Sequence, residues 1–150
     1  MGAISDILKS AQQRAKDMNL AYEGALLPKE AYQLMQEAPA AKLVDVRTRA
    51  EWEWVGVIPG AVQIEWQTWP GGGLNANFVE ELKRKVDRES LVMFICRSGG
   101  RSHQAALAAT QSGYLDCYNV LQGFEGDKDA DGHRNAVGGW RAAGLPWRQN

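Results

Sequence analysis

The sequence predicts a single-domain α/β protein with a central parallel sheet and helices on both faces of that sheet. Short β-branched or apolar runs alternate with segments whose apolar residues recur at helical spacing, which is the order of strand–helix–strand units. The run Leu91–Ile95 is wholly apolar, as expected of a parallel strand buried on both faces. A length of 150 residues fits one domain. In such folds, active sites lie beyond the carboxyl ends of the strands.

An amphipathic helix is predicted over residues 1–19, ahead of a domain over residues 20–150. Its apolar residues recur every three or four positions. They are Ile4, Ile7, Leu8, Ala11, Ala15 and Met18. Packing against the domain is the simpler expectation, and docking to a partner or a membrane surface is the alternative; the stripe lacks aromatic anchors for a membrane. Pro28 then begins a second helix, since proline suits a first helical position.

A strand, a helix and a second strand are predicted next along the chain. Residues 43–46 form a β-branched run, which indicates a strand. Thr48 and Glu51 have the spacing of a capping box, which indicates that a helix begins there. The turn signal at 59–60 precedes a further short strand at 61–64.

The second half of the chain continues the alternation. Asn77 and Glu80 predict the start of a helix before the apolar strand at 91–95. An alanine-rich helix is predicted over residues 102–112 and ends at Gly113, a natural C-terminal cap. A last strand follows at residues 117–121.

Composition and charge exclude several classes of protein. Apolar residues make up 45% and charged residues 23% of the chain, so disorder, collagen and coiled coil fit poorly. A net charge of -1 provides no overall field for nucleic acid or an anionic membrane, and no apolar run is long enough to span a membrane. Two cysteines are too few for a disulfide framework, which favours a reducing, cytoplasmic location.

The segment after the apolar strand carries the predicted chemistry. It consists of Cys96, Arg97, Ser98, Gly99, Gly100, Arg101 and Ser102. Glycines let such a loop curl so that its N–H groups point inward and bind an anion, and the following helix adds its positive end. Two guanidinium groups add to this field, which favours the thiolate form of Cys96. A reactive nucleophile is therefore expected here, rather than a cysteine acting as a small core residue.

Four segments occur in an order that resembles the rhodanese-like family of single-domain sulfurtransferases, and the resemblance covers about residues 20–148. The segments are Leu43-Val44-Asp45-Val46-Arg47 with Glu51-Trp52, then Ile58-Pro59-Gly60-Ala61, then Cys96 to Ser102, then Gly139-Trp140 with Ala143-Gly144-Leu145-Pro146. The loop motif alone is moderately specific. The ordered set is much more specific than any one of them.

The resemblance implies a sheet of about five parallel strands and a Cys96 that carries sulfane sulfur as a persulfide. Cys96 would take sulfur from thiosulfate or a similar small anion and pass it to cyanide in an assay, or to a thiol, free or on a protein, in the cell. The N–H groups of residues 97–102 would hold the persulfide, and Arg97 and Arg101 would attract the donor. No metal and no organic cofactor is implied.

The chain departs from the family pattern at Val57, where members commonly have histidine. Valine cannot donate, accept or titrate, so a hydrogen bond is lost there; that histidine is interpreted as structural, and catalysis is expected to persist. Asp45 and Arg47 are likewise interpreted as mainly structural.

Two other functions stay open. Cysteine phosphatases and arsenate reductases also hold a thiolate in an anion-binding loop, but their signature has five residues between cysteine and arginine, whereas four separate Cys96 from Arg101. A persulfide carrier that needs a specific partner is the second alternative.

Other polar residues and the second cysteine carry weaker signals. Cys117 lacks basic or glycine-rich neighbours, so a core role is expected, with a resolving thiol as the minor alternative. His103 is expected to point away from Cys96, and His133 to be solvated. Segment 127–132 begins like a calcium loop, but Gly138 occupies the position that needs a bidentate glutamate. No metal site is therefore predicted.

Overall fold

Five parallel strands form one sheet at the centre of the protein, in the order β1-β5-β4-β2-β3. The computed structural model describes residues 2–149. The strands are β1 (Gly24–Leu26), β2 (Ala41–Asp45), β3 (Val62–Gln63), β4 (Leu91–Ile95) and β5 (Cys117–Val120). The helices are α1 (Ala3–Asp17), α2 (Pro28–Glu37), α3 (Arg49–Trp54), α4 (Phe78–Lys85) and α5 (Gly100–Gln111). The predicted α/β class and parallel sheet are confirmed.

The central strand β4 joins two separate layers of the core. Val92 and Phe94 pack on one face with α4 and α5, whereas Met93 and Ile95 pack on the other with α1 and α2. This alternation follows from the period of two in a strand. Both faces of β4 are therefore covered, as its wholly apolar sequence predicts. Its carboxyl end is left pointing at the loop that begins with Cys96.

Local signals in the sequence place several helix ends correctly. Helix α2 begins at Pro28. At the start of α3, Thr48 and Glu51 form the predicted capping box, in which the Glu51 N–H donates to the Thr48 hydroxyl at 3.3 Å. Helix α4 follows Asn77, but the Asn77 side chain makes no cap, and Asn75 Oδ1 instead accepts the Asn77 N–H at 3.0 Å.

Helix α1 packs on the domain through its apolar stripe. Ile7, Ala11 and Ala15 are buried. Arg14 extends from its last turn to Glu30 of α2, with a guanidinium-to-carboxylate distance of 2.7 Å, and also donates to the Ala25 carbonyl of β1. The structure therefore accounts for this stripe by packing within the chain. No helix among residues 2–149 is long and apolar enough to cross a membrane.

The residues of the edge strand β1 carry no strand signal of their own. Gly24, Ala25 and Leu26 are neither β-branched nor alternating in polarity. They form a strand because they pair in parallel with residues 118–120 of β5. Pairing across the chain thus decides this element.

Candidate active site

Cys96 lies at the carboxyl end of β4, at the base of the loop that leads into α5. Its side chain is only 1% exposed. The Gly99 N–H donates to Cys96 Sγ at 3.2 Å, and Ser102 Oγ lies 3.3 Å from the same sulfur. The loop therefore wraps around the sulfur, with a backbone donor and a hydroxyl in contact with it.

Gly99 gives the loop its sharp turn. Its φ of +114° lies in the left-handed region, which a residue with a side chain adopts only at a cost in free energy. Gly99 is also the N-terminal cap residue of α5, and its carbonyl accepts the His103 N–H at 3.1 Å. The positive end of α5 thus faces the region of Cys96.

Arg101 is held by Glu51, a contact that the sequence analysis missed. The two Arg101 terminal nitrogens donate to the two Glu51 carboxylate oxygens at 2.6 and 2.9 Å. Burial disfavours the charged form of Glu51, but the hydrogen bonds and charge of Arg101 outweigh it and lower the pKa of Glu51 to about 2. Glu51 is part of the capping box and of the first family motif, and neither role indicates a partner fifty residues away.

The other loop residues are placed around the same turn. Arg97 is exposed, and its carbonyl accepts the N–H groups of Glu125 and Gly126 at 2.9 and 3.2 Å. Ser98 is half-buried and Gly100 is exposed at the first position of α5. The two arginines of the loop therefore differ, because Arg97 lies at the surface and Arg101 is paired.

The sequence also did not predict the polar contacts that Ser102 and His103 make with residues of other elements. Ser102 Oγ donates to Asn119 Oδ1 of β5 at 2.5 Å, and Asn119 Nδ2 donates to the Gly99 carbonyl at 3.3 Å. His103 Nδ1 lies 2.7 Å from the Tyr22 hydroxyl, so its ring is engaged away from Cys96. A polar residue within a strand of otherwise buried residues was the available signal for Asn119.

Asp45 and Arg47 form a buried ion pair under the site. Both side chains are 0% exposed, and Arg47 Nη2 lies 2.7 Å from Asp45 Oδ2. Arg47 also donates to the Gly56 carbonyl and stacks over the Phe124 ring at 4.2 Å. Val57 is buried and pairs through its backbone with Arg148. These contacts connect the segments before and after α3 to each other and to the C-terminal segment.

Cys117 lies in the core, and the acidic loop at residues 127–133 forms a turn. Cys117 is buried in the core, where burial raises the pKa of its thiol to about 11. In the acidic loop, Asp129 Oδ1 accepts the N–H groups of Asp131 and His133 and so stabilises a turn. Within residues 2–149 no group of three or more His, Cys, Asp or Glu side chains is arranged to hold a metal ion.

Comparison with known proteins identifies the family. The model of the rhodanese-like domain matches residues 27–130. The uncharacterised protein RP600 of Rickettsia prowazekii (strain Madrid E) is 37% identical over 123 residues, which cover 79% of this chain and 92% of that protein.

Solved structures agree with this assignment. The crystal structure of Rv0390 from M. tuberculosis is 48% identical, with a TM-score of 0.79, and the match covers 87% of this chain and all of that one. The polysulfide-sulfur transferase homodimer from Wolinella succinogenes shares the fold at 23% identity and a TM-score of 0.59, over 97% of this chain and 90% of that one. The protein therefore belongs to the rhodanese-like domain family.

Proposed function

We propose that this protein is a sulfurtransferase that moves sulfane sulfur from thiosulfate or a similar donor to a thiophilic acceptor through a persulfide on Cys96. The contact of Cys96 Sγ with the Gly99 N–H, at the start of α5, carries the proposal. Backbone donors and the positive end of a helix stabilise a thiolate and, after it, a persulfide anion. Membership of the rhodanese-like family supports the same chemistry.

The reaction has two displacement steps. The Cys96 thiolate attacks the outer sulfur of thiosulfate, the sulfur–sulfur bond of the donor breaks, and sulfite leaves with the bonding electron pair. An acceptor such as cyanide then attacks the terminal sulfur of the persulfide, and the Cys96 thiolate leaves with its electron pair. Covalent catalysis of this kind divides one transfer into two easier steps.

The two arginines of the loop have different roles in this proposal. Arg97 is exposed and presents its charge to an incoming anionic donor. Arg101 donates two hydrogen bonds to Glu51, so it adds less net charge and mainly holds the loop against α3. The N–H groups of residues 97–102 form the site for the persulfide anion.

Thiosulfate, polysulfide and a persulfide on a partner protein share one chemical feature, a sulfur atom bonded to a leaving sulfur. The transfer of polysulfide sulfur by the Wolinella protein is consistent with a donor of this class. We propose a cytoplasmic location, since both Cys96 and Cys117 are free thiols.

The intact mass of the reduced protein, measured after exposure to thiosulfate and again after addition of cyanide, tests the proposal. We expect a gain of one sulfur atom that cyanide removes. Cys96→Ser abolishes this gain, because it removes the nucleophile. Cys117→Ser is the matched control and retains the gain, because Cys117 is a buried thiol whose pKa is raised to about 11.

Three results would contradict parts of the proposal. Sulfur that still adds to the Cys96→Ser variant would exclude Cys96 as the carrier. If no form takes up sulfur from thiosulfate but the wild-type chain accepts it from a persulfide on a protein, the protein is a partner-dependent carrier. Hydrolysis of a phosphate ester or reduction of arsenate, without sulfur uptake, would indicate oxyanion chemistry.

A further inference from the structure

Asn119 and Ser102 form a buried polar pair on the β5 side of Cys96. The side chains are 4% and 0% exposed, and the neighbours of Asn119 along β5 are buried too. Burying an amide disfavours folding unless it is hydrogen-bonded. Asn119 satisfies this condition with contacts directed toward the active-site loop, which suggests a role at the site.

The Ser102 hydroxyl has one hydrogen for two competing acceptors. Ser102 Oγ lies 2.5 Å from Asn119 Oδ1 and 3.3 Å from Cys96 Sγ. A hydroxyl donates one hydrogen bond and accepts up to two. While the hydrogen points to Asn119, Cys96 can donate its thiol proton to Ser102. Once Cys96 is a thiolate or a persulfide anion, the hydroxyl must leave Asn119 to donate to the sulfur.

Asn119 also contacts the residue whose N–H donates to the sulfur. Its Nδ2 donates to the Gly99 carbonyl at 3.3 Å, and the N–H of the same Gly99 donates to Cys96 Sγ. One side chain therefore contacts both Ser102 and Gly99, the two residues that lie against the Cys96 sulfur.

We propose that Asn119 is a positioning residue that sets the reactivity of Cys96 by competing with its sulfur for the Ser102 hydrogen. Asn119 reaches Cys96 through Ser102. The inference rests on the proposed function in one respect, since it takes Cys96 as the nucleophile.

Charged and titratable groups approach Cys96 from several elements, mostly in pairs. Arg101 of α5 is paired with Glu51 of α3, and Asp45 of β2 is paired with Arg47. On the other side, Tyr22 lies between Asn119 and His103, and burial raises the pKa of its hydroxyl. Variants of Asn119 alter its contact with Tyr22, and comparing each of them with and without Ser102 keeps that alteration the same in both backgrounds.

The rate at which uncharged iodoacetamide alkylates Cys96, followed on the Cys96 peptide from pH 5 to pH 10, tests the inference. Asn119→Leu keeps the shape of the side chain but frees the Ser102 hydrogen for the sulfur anion, so we expect the midpoint of the rate profile to fall by about one pH unit. Ser102→Ala removes the hydrogen and raises the midpoint. The double variant matches Ser102→Ala, because Asn119 acts on this midpoint through Ser102.

Asn75→Leu is the matched control. Asn75 Nδ2 donates to the Glu65 carbonyl and to Glu81, and it contacts neither Cys96 nor Ser102. We expect the midpoint of the alkylation profile in Asn75→Leu to stay at the wild-type value. An unchanged midpoint in Asn119→Leu would overturn the inference. The inference would also fail if Asn119→Leu shifted the midpoint equally in the wild-type and Ser102→Ala backgrounds, since a merely structural role would produce that pattern.

If Asn119→Leu does not fold, Asn119→Asp is measured in its place. The carboxylate is a stronger acceptor for the Ser102 hydrogen, so the midpoint rises, and it rises less when Ser102 is alanine. An equal rise in both backgrounds would exclude competition for the hydrogen. Alkylation needs no sulfur donor, so the expected shifts in a protein that takes no sulfur would support the positioning role while the sulfurtransferase proposal fails.

Discussion

At the scale of single residues, the two glycines in the loop after Cys96 meet different constraints. Gly99 has a φ of +114°, whereas Gly100 is the first residue of α5, and an added Cβ there would meet no atom within 4 Å. The space around Gly99 is also open, the nearest atom to an added Cβ being 3.8 Å away. Backbone conformation, and not crowding, therefore requires glycine at position 99.

We expect Gly99→Ala to lower the free energy of unfolding by about 1 to 2 kcal/mol, because an L-residue is strained in the left-handed region. The same change turns the Gly99 N–H from Cys96 Sγ and slows sulfur uptake. Gly100→Ala is the matched control and is tolerated, since alanine favours a helix. Urea denaturation and the rate of persulfide formation from thiosulfate measure both effects. Equal losses in the two variants would argue against a special role for the Gly99 conformation.

At the scale of elements, α3 and α5 are joined by Glu51 and Arg101. The side chains are 19% and 20% exposed, so solvent screens the pair only in part. Glu51 Oε1 also accepts the Thr48 N–H at 3.1 Å, so one carboxylate caps α3 and fixes the loop at the start of α5. The link therefore couples the position of the loop to the stability of α3.

We expect Glu51→Gln to lower the free energy of unfolding by about 2 kcal/mol at pH 7, because it removes the charge facing Arg101. The folded pKa of Glu51 is lowered to about 2, against about 4.3 in an unfolded chain. The stabilisation is therefore complete above about pH 4.3 and is lost as the pH falls toward 2, so the difference between variant and wild type shrinks by about half at pH 3.

Denaturation with urea at pH 7, 5 and 3 measures this dependence. Glu53→Gln is the control, because Glu53 is an exposed glutamate on the same helix; we expect its stability to follow the wild type at each pH. A loss in Glu51→Gln that stays constant from pH 7 to pH 3 would show that the ionised pair is not its source.

At the scale of the whole molecule, the sheet extends beyond the segment that the family model matches. The match begins at residue 27, whereas β1 and α1 lie before it. An added Cβ on Gly24 would lie 2.7 Å from a Tyr118 ring carbon and 2.9 Å from the Ala11 carbonyl carbon. The close approach of α1, β1 and β5 therefore depends on this glycine.

We expect Gly24→Ala to lower the free energy of unfolding by about 2 kcal/mol, since overpacking forces backbone or side chains apart. Gly73→Ala is the control, because an added Cβ there meets nothing within 4 Å. Urea denaturation compares the two variants. A Gly24→Ala variant as stable as Gly73→Ala would mean that α1 can shift away from β1 at little cost. The division into residues 1–19 and 20–150 stays a prediction.

Features that depend on neighbouring residues can be predicted from the amino-acid sequence alone. An apolar run of five residues is enough to indicate β4, proline fixes the start of α2, and Thr48 with Glu51 three residues later fixes the start of α3. Cys96 and its loop belong to this group, since strand, glycines and helix follow one another directly. These signals are local, because turns, caps and side-chain periodicity act over a few residues.

Contacts between residues far apart in the sequence depend on how the elements pack in the folded chain. The strand order placed β5 beside β4, which brings Asn119 to Ser102, and the packing of α3 brings Glu51 to Arg101. Neither contact has a sequence pattern of its own, because each partner already fits its local element for another reason. Strand β1 forms for the same reason, since its three residues find their strand partner in β5.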